Sequence, residues 1–184
     1  MAKDKKKKFA SQQRVLVDNA NISSDLKFRI EEAYKSIRAN IMFSVVKKGC
    51  KIIVVSSSLP NEGKTTATVN LAASISQADQ RVLLIDGDLR KPKIHQYFSV
   101  SSAPGLTDYL SDVASARHKM DIFGIIHPTK YENLSVITSG TIPPNPAELL
   151  GSDFMRDFLN GISKDFDYII IDTPPLNVVS DALP

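Results

Sequence analysis

The chain has 184 residues, 42% of them hydrophobic and 23% charged, with a net charge of +3 and one cysteine. That length and composition suit a single soluble globular domain with a substantial core, and a lone Cys50 excludes an internal disulfide or a cysteine-rich metal site, which fits a reducing, cytoplasmic location. No apolar run approaches the ~20 residues needed to span a bilayer, and the opening MAKDKKKKFA has no apolar stretch behind its charges, so it is not a secretory signal.

The charge is unevenly placed. Residues 1–8 hold five lysines and one aspartate, and the remainder carries a net −1. Such a tail can attract anionic lipid or nucleic acid at ~1 kcal/mol per residue near a membrane surface, but a solvated, disordered leader is the plainer reading and the one preferred here. Residues 1–24 are therefore expected to form a basic, disordered arm. Over 25–48, Leu26, Ile30, Ala33, Tyr34, Ile37, Ile41 and Val45 recur at helical spacing and predict a helix with one apolar stripe.

Residues 49–184 read as the core. Four short apolar runs follow, Ile52–Val55, Val82–Ile85, Leu134–Ile137 and Tyr168–Ile171, each rich in β-branched residues and without polar alternation, as buried parallel strands are. Helical segments are expected between them at Lys64–Gln77, Leu106–Lys119 and Pro146–Ile162. The last opens on Asn145 as N-cap, Pro146 at N1 and Glu148 as a capping-box partner. Strands alternating with helices predict an α/β fold, a mostly parallel sheet with helices on both faces.

Ser56–Ser76 reads SSSLPNEGKTTATVNLAASIS. Gly63-Lys64-Thr65 lies after a strand and opens a helix, the context that a phosphate-binding loop requires, although Ser58 stands where the usual first glycine would be. In such a loop, Ser58, Pro60, Asn61, Glu62, Gly63, Lys64, Thr65 and Thr66 surround the nucleotide, backbone N–H groups cradle phosphate, Lys64 reaches the β- and γ-phosphates, and Thr65 ligates Mg²⁺. Read alone, the segment is also compatible with a polar strand-to-helix turn that contains GKT. Two further segments add weight. The second strand ends in Asp86-Gly87-Asp88 and the fourth in Asp172-Thr173-Pro174-Pro175. Both place carboxylates at strand carboxyl ends, where ligands bind in open α/β sheets and where a phosphate-binding loop needs an acid for its metal. His95, His118 and His127 have no metal-site spacing and are read as structural or exposed; Cys50 is read as partly buried and inert.

These segments together resemble the cytoplasmic bacterial tyrosine kinases that accompany capsule and exopolysaccharide synthesis. Ser58–Thr65 is similar to their Walker A motif, and Leu83–Pro92, with its Asp86-x-Asp88-x-Arg90-x-Pro92 core, to their Walker A′. Tyr168–Asp172 resembles their Walker B, and Ser139–Leu150 is also similar. On the N-terminal helix, Glu32, Lys35 and Arg38 match a family E-x-x-R-x-x-R pattern with lysine in place of the first arginine. The resemblance runs from about Asp18 to the last residue, and Walker A′ is its most specific part.

The resemblance implies an ATP- and Mg²⁺-dependent protein-tyrosine kinase that regulates polysaccharide synthesis and export. A tyrosine hydroxyl, with a pKa of about 10, gains from a carboxylate that accepts its proton. By similarity Asp86 is that base, Lys64 and Asp88 complete the catalytic set, and Thr65, Asp88 and Asp172 serve the metal and its waters. Arg90 is read equally as a clamp for anionic phosphate or acidic substrate and as a surface cation. Glu32, Lys35 and Arg38 would contact a neighbouring subunit in a ring, or form a plain solvated face. The implied partners are a membrane adaptor of the polysaccharide co-polymerase type, a cognate tyrosine phosphatase and further copies of the chain, with no nucleic acid; the chain would lie at the inner face of the membrane. The alternatives are a partition or division ATPase of the ParA/MinD kind and a non-catalytic nucleotide-binding regulator. The first carries an additional lysine early in the loop, where this chain has Leu59; the second is opposed by the intact Lys64, Thr65, Asp86, Asp88 and Asp172. Members of the family continue past the fourth strand to a tail of clustered tyrosines. Here Tyr34, Tyr97, Tyr109, Tyr131 and Tyr168 are scattered, so a C-terminally incomplete kinase with weak Mg·ATP binding and little self-phosphorylation is expected.

Overall fold

In the computed structural model, residues 23–44, 48–117 and 119–176 are described; the N-terminal arm, Val45, His118 and the last eight residues lie outside them. In chain order the elements are α1 (Ser24–Ser44), β1 (Lys51–Val55), α2 (Lys64–Ser76), β2 (Val82–Asp86), α3 (Ile94–Phe98), α4 (Leu106–Ala114), a 3₁₀ turn (Ile122–Ile125), β3 (Ile126–Pro128), β4 (Leu134–Ile137), α5 (Pro146–Leu150), α6 (Asp153–Ile162) and β5 (Tyr168–Asp172). The sheet order is β1-β5-β2-β4-β3. All neighbours are parallel except β3, which runs antiparallel to β4.

The strands form where β-branched residues are densest. β2 and β5 are buried at every position because both faces of the sheet are covered there; β1, at the edge, departs from the expected buried strand, with Ile52 and Val54 exposed. Successive side chains point to opposite faces. Leu84, Val136 and Ile170 therefore join Val69, Ala72 and Ile75 of α2 and Phe98 of α3 on one side. Leu83, Ile85, Ile137, Ile169 and Ile171 meet Leu106 and Leu110 of α4 and Met155, Phe158 and Ile162 of α6 on the other.

The structure departs from the expected elements in four places. β3 adds an antiparallel edge strand, and α3 adds a short helix directly after the Asp86–Lys93 segment. α4 ends at Ala114: Ala116 turns left-handed at φ 51°, and the Asp112 carboxylate accepts from Lys119 N and Met120 N at 2.7 and 2.9 Å, turning the chain away. The segment Pro146–Ile162 is two helices, because Gly151 ends the first and the Ser152 hydroxyl caps the second by accepting from Met155 N at 3.3 Å. Asn145 does not cap with its side chain; its amide donates instead to the Glu148 carboxylate at 2.7 Å.

α1 docks differently from its apolar stripe. None of its residues is buried. Tyr34, Ile41 and Met42 pack against the core, whereas Leu26 and Ile37 of the expected stripe stay exposed. The docked face is rotated toward Arg38, whose guanidinium donates to Ser74 O of α2 at 2.7 Å. Cys50 is half-buried, and burial pushes its thiol pKa up. His95 on α3 and His127 on β3 are half-buried.

Candidate active site

The carboxyl ends of β1, β5 and β2 lie side by side, so the loops that follow them share one crest. The loop after β1 folds on itself before it meets anything else. The Glu62 carboxylate accepts from Leu59 N at 3.0 Å, and the Ser57 hydroxyl donates to Leu59 O at 2.9 Å. Gly63, at φ 85°, makes the left-handed step into α2, a conformation glycine adopts without the Cβ penalty. Lys64 and Thr65 then occupy the first turn of α2, where unpaired N–H groups and the helix dipole favour an anion.

Asp172, at the end of β5, is fully buried and is the hub of the site. It accepts from Lys64 Nζ at 2.8 Å, Thr65 Oγ1 at 2.7 Å and Thr68 Oγ1 at 3.1 Å. Gly87 fixes the next strand end against it. Gly87 N donates to Asp172 O at 2.8 Å, and a Cβ on Gly87 would stand 2.9 Å from that same oxygen. The glycine between the two aspartates is thus required by close approach of the backbones.

The two aspartates of β2 differ. The Asp88 carboxylate lies 3.5 Å from Lys64 Nζ and accepts from Lys91 N at 3.1 Å. Asp86 is fully buried; one of its oxygens accepts from Lys93 N at 3.0 Å and Ile94 N at 2.9 Å, and the other has no partner. Burial is the main cause that raises its pKa to about 7, with the neighbouring Asp172 and Asp88 adding to the rise against the two backbone bonds.

A cavity of about 430 Å³ opens at this crest. It is lined by Ser57, Pro60, Asn61, Gly63, Lys64, Thr65 and Thr66 from the first loop and α2, by Asp88, Arg90, Lys91, Lys93 and Tyr97 from the β2 side, and by Pro174 and Pro175 after β5. Most of the residues expected around a nucleotide line it. Ser58 and Glu62 do not; Ser57 takes the first place, and Glu62 shapes the loop. Asp86 and Asp172 lie behind the wall. Tyr97 and Thr68 were not singled out in the sequence. Tyr97 sits on the unforeseen α3, with its hydroxyl 2.6 Å from Thr66 Oγ1, and Thr68 one helical turn after Lys64 is the only signal the sequence gives of the second.

The donor set is all oxygen: the Thr65 hydroxyl and the Asp88 and Asp172 carboxylates. Mg²⁺ is held by one or two carboxylates, a hydroxyl, waters and substrate phosphates rather than by a full protein cage, so these residues fit it. Among the described residues no group of three His, Cys, Asp or Glu is arranged as a metal cage. On α1, Glu32 and Lys35 pair with each other at 2.7 Å on the exposed face, in place of the Glu31–Lys35 pair that i,i+4 spacing suggests. Arg38 is turned inward.

Comparison with known proteins agrees with this geometry. A family model described as an AAA domain matches residues 50–182. The chain is 40% identical over 151 residues to tyrosine-protein kinase YwqD of Bacillus subtilis, covering 82% of this chain and 61% of YwqD. It superposes on the BceF tyrosine kinase domain with a TM-score of 0.73 and 33% identity, covering 98% of this chain and 68% of that one. A likeness to the septum site-determining protein MinD of Pyrococcus horikoshii, TM-score 0.55 at 24% identity over 68% of this chain and 49% of that one, shows the fold alone. The fold is that of nucleotide-binding P-loop proteins, and the chain belongs to the bacterial tyrosine-protein kinase family.

Proposed function

We propose that this chain is the ATP-binding catalytic core of a protein-tyrosine kinase acting in capsular or extracellular polysaccharide synthesis. The observation that carries the reading is the meeting of Lys64, Thr65 and the Asp88–Lys93 segment in one cavity, with Asp172 directly beneath. A phosphate loop alone serves many reactions; a D-x-D-x-R-x-P segment facing it is what the kinase resemblance requires.

In this reading the loop amides and Lys64 hold the β- and γ-phosphates of ATP. Thr65, Asp88 and Asp172 would hold Mg²⁺, which would neutralise charge on the phosphates. The acceptor tyrosine oxygen forms a bond to the γ-phosphorus as the bond to the β-bridging oxygen breaks, and ADP leaves. The resemblance assigns the hydroxyl proton to Asp86, whose unpartnered oxygen and raised pKa suit a base working near neutrality; because its carboxylate lies behind the cavity wall, this assignment requires the Gly87–Asp88 segment to move aside for the acceptor. Asp88 is the carboxylate on the cavity wall itself, which supports its placement at the metal and phosphate. Variants Asp86→Asn and Asp88→Asn separate the roles: the first should remove the acidic limb of the pH–rate profile, the second should weaken Mg²⁺ dependence.

Glu32 and Lys35 are exposed, and Phe28 and Phe43 on the same side of α1 leave apolar area beside them. That face supports assembly with further copies of the chain; Arg38, bonded to Ser74, contributes to the internal contact instead. A membrane adaptor, a cognate phosphatase and a position at the inner face of the membrane belong to the same reading.

The test is incubation of the purified protein with γ-labelled ATP, Mg²⁺ and a tyrosine-containing peptide. Label on tyrosine that is lost in Lys64→Met supports the kinase. Phosphate release stimulated by DNA or lipid, with no phosphotyrosine, supports a partition ATPase in its place.

A further inference from the structure

We propose that the cavity selects acceptor tyrosines flanked by acidic residues, and that Lys91 and Lys93 make the selection. The proposal rests on the kinase reading and names its substrate class.

The sheet order decides which wall the acceptor meets. β5 lies between β1 and β2, so the phosphate loop after β1 and the Asp88–Tyr97 segment after β2 face each other across Pro174 and Pro175. Phosphates held by the loop and the first turn of α2 occupy the β1 side. In-line transfer brings the acceptor oxygen to the γ-phosphorus from the side away from the leaving oxygen. The acceptor segment therefore passes the β2 wall.

That wall carries uncompensated positive charge. Lys64 already has Asp172 and Asp88 as counter-ions. Asp88 is the one carboxylate in the cavity lining and it faces Lys64; Arg90 has a partner of its own, which leaves Lys91 and Lys93. The ammonium groups of Lys91 and Lys93 are exposed and form no ion pair with a described residue. Their backbones are pinned by the site: Lys91 N donates to Asp88 and Lys93 N to Asp86. The two carboxylates at the end of β2 thus hold both lysines at the rim, and a neutral acceptor has no use for them. Glutamate or aspartate beside the tyrosine gives each ammonium a partner, and lysine or arginine there is repelled.

The experiment measures fluorescence anisotropy of three labelled peptides of equal length, with tyrosine flanked by glutamate, alanine or lysine. The full chain is saturated with a non-hydrolysable ATP analogue and Mg²⁺. The glutamate peptide should bind about tenfold tighter than the alanine peptide, the sum of a few exposed charge pairs, and the lysine peptide more weakly than either. The preference should shrink as salt rises. It should vanish in Lys91→Gln/Lys93→Gln and reverse in Lys91→Glu/Lys93→Glu, and affinity for a fluorescent ATP analogue is measured on both variants beside it. Equal affinity of the protein for the glutamate and alanine peptides overturns the proposal. So does a variant that loses nucleotide affinity and keeps the peptide preference, which would make the lysines phosphate ligands. A binding preference together with no phosphotyrosine when the same peptides are incubated with γ-labelled ATP and Mg²⁺ in place of the analogue would instead overturn the kinase reading and leave the acidic-peptide site standing.

Discussion

α1 and α2 are neighbours of opposite character. α1 runs for 21 residues with none buried, and Leu26, Phe28, Ile37 and Phe43 face outward. α2 runs for 13 residues with ten buried, from Thr65 to Ser76. The difference shows where precision is required. α2 carries Lys64 and Thr65 at its first turn, so its position sets the geometry of the phosphate site, and core contacts along its whole length hold it. α1 is tied by Tyr34, Ile41, Met42 and the Arg38–Ser74 bond, an attachment suited to an element whose outer face meets another molecule.

The largest break in this contrast should come at the head of α2. Lys64→Met leaves the carboxylates of Asp172 and Asp88 without their cation. Removing one partner of a buried ionic group costs about 3–5 kcal/mol, so the thermal midpoint should fall by roughly 10 °C at pH 8, in addition to loss of nucleotide binding. Calorimetry on both proteins checks it. Ile75→Ala, at a fully buried position of α2, should cost about 2–5 kcal/mol by denaturant titration without altering pH dependence.

Asp86→Asn should act with the opposite sign. The pKa of Asp86 is raised in the folded chain from 3.8 to about 7. The folded state therefore binds this proton more tightly than the unfolded one. Its stabilising effect is complete below about pH 4, is lost as pH rises toward 7, and is absent above. Asparagine stays neutral and can still accept from Lys93 N and Ile94 N. In metal-free protein the variant should be the more stable at pH 8, by at most about 4 kcal/mol, and the gap should close by pH 4. A stable but inactive variant is the pattern expected where function holds a buried carboxylate against its preference.

On α1 the effects should be small. Arg38→Ala removes one charge-assisted bond to Ser74 O and should cost about 1–2 kcal/mol. Phe43→Ala, at 82% exposure, should fall within about 0.5 kcal/mol. A large loss at Phe43 in dilute protein would mean that α1 is part of the core after all.

Much of this was legible in the chain. β1, β2, β4 and β5 lie within one residue of their apolar runs, because β-branched residues without polar alternation have few other places to go. Asp86, Asp88 and Asp172 were legible as strand-end acids, and Gly63-Lys64-Thr65 as the loop. β3 was hidden because Ile126-His127-Pro128 is too short to show a period, and α3 because Ile94–Phe98 is a single turn and a half after a proline. The docked face of α1 is legible in part: Tyr34 and Ile41 of the apolar stripe pack on the core, whereas Leu26 and Ile37 stay exposed, and only the position of Ser74 shows that Arg38 faces inward. Spacing alone also cannot show that the Glu62 carboxylate closes the loop on Leu59 N.

The most direct test of the account is the ratio of phosphotyrosine formed to ATP consumed, measured with γ-labelled ATP, Mg²⁺ and a glutamate-flanked tyrosine peptide. The account predicts a ratio near one, with both quantities abolished together in Lys64→Met. ATP consumption that continues with phosphate released to water and no label on tyrosine would contradict it.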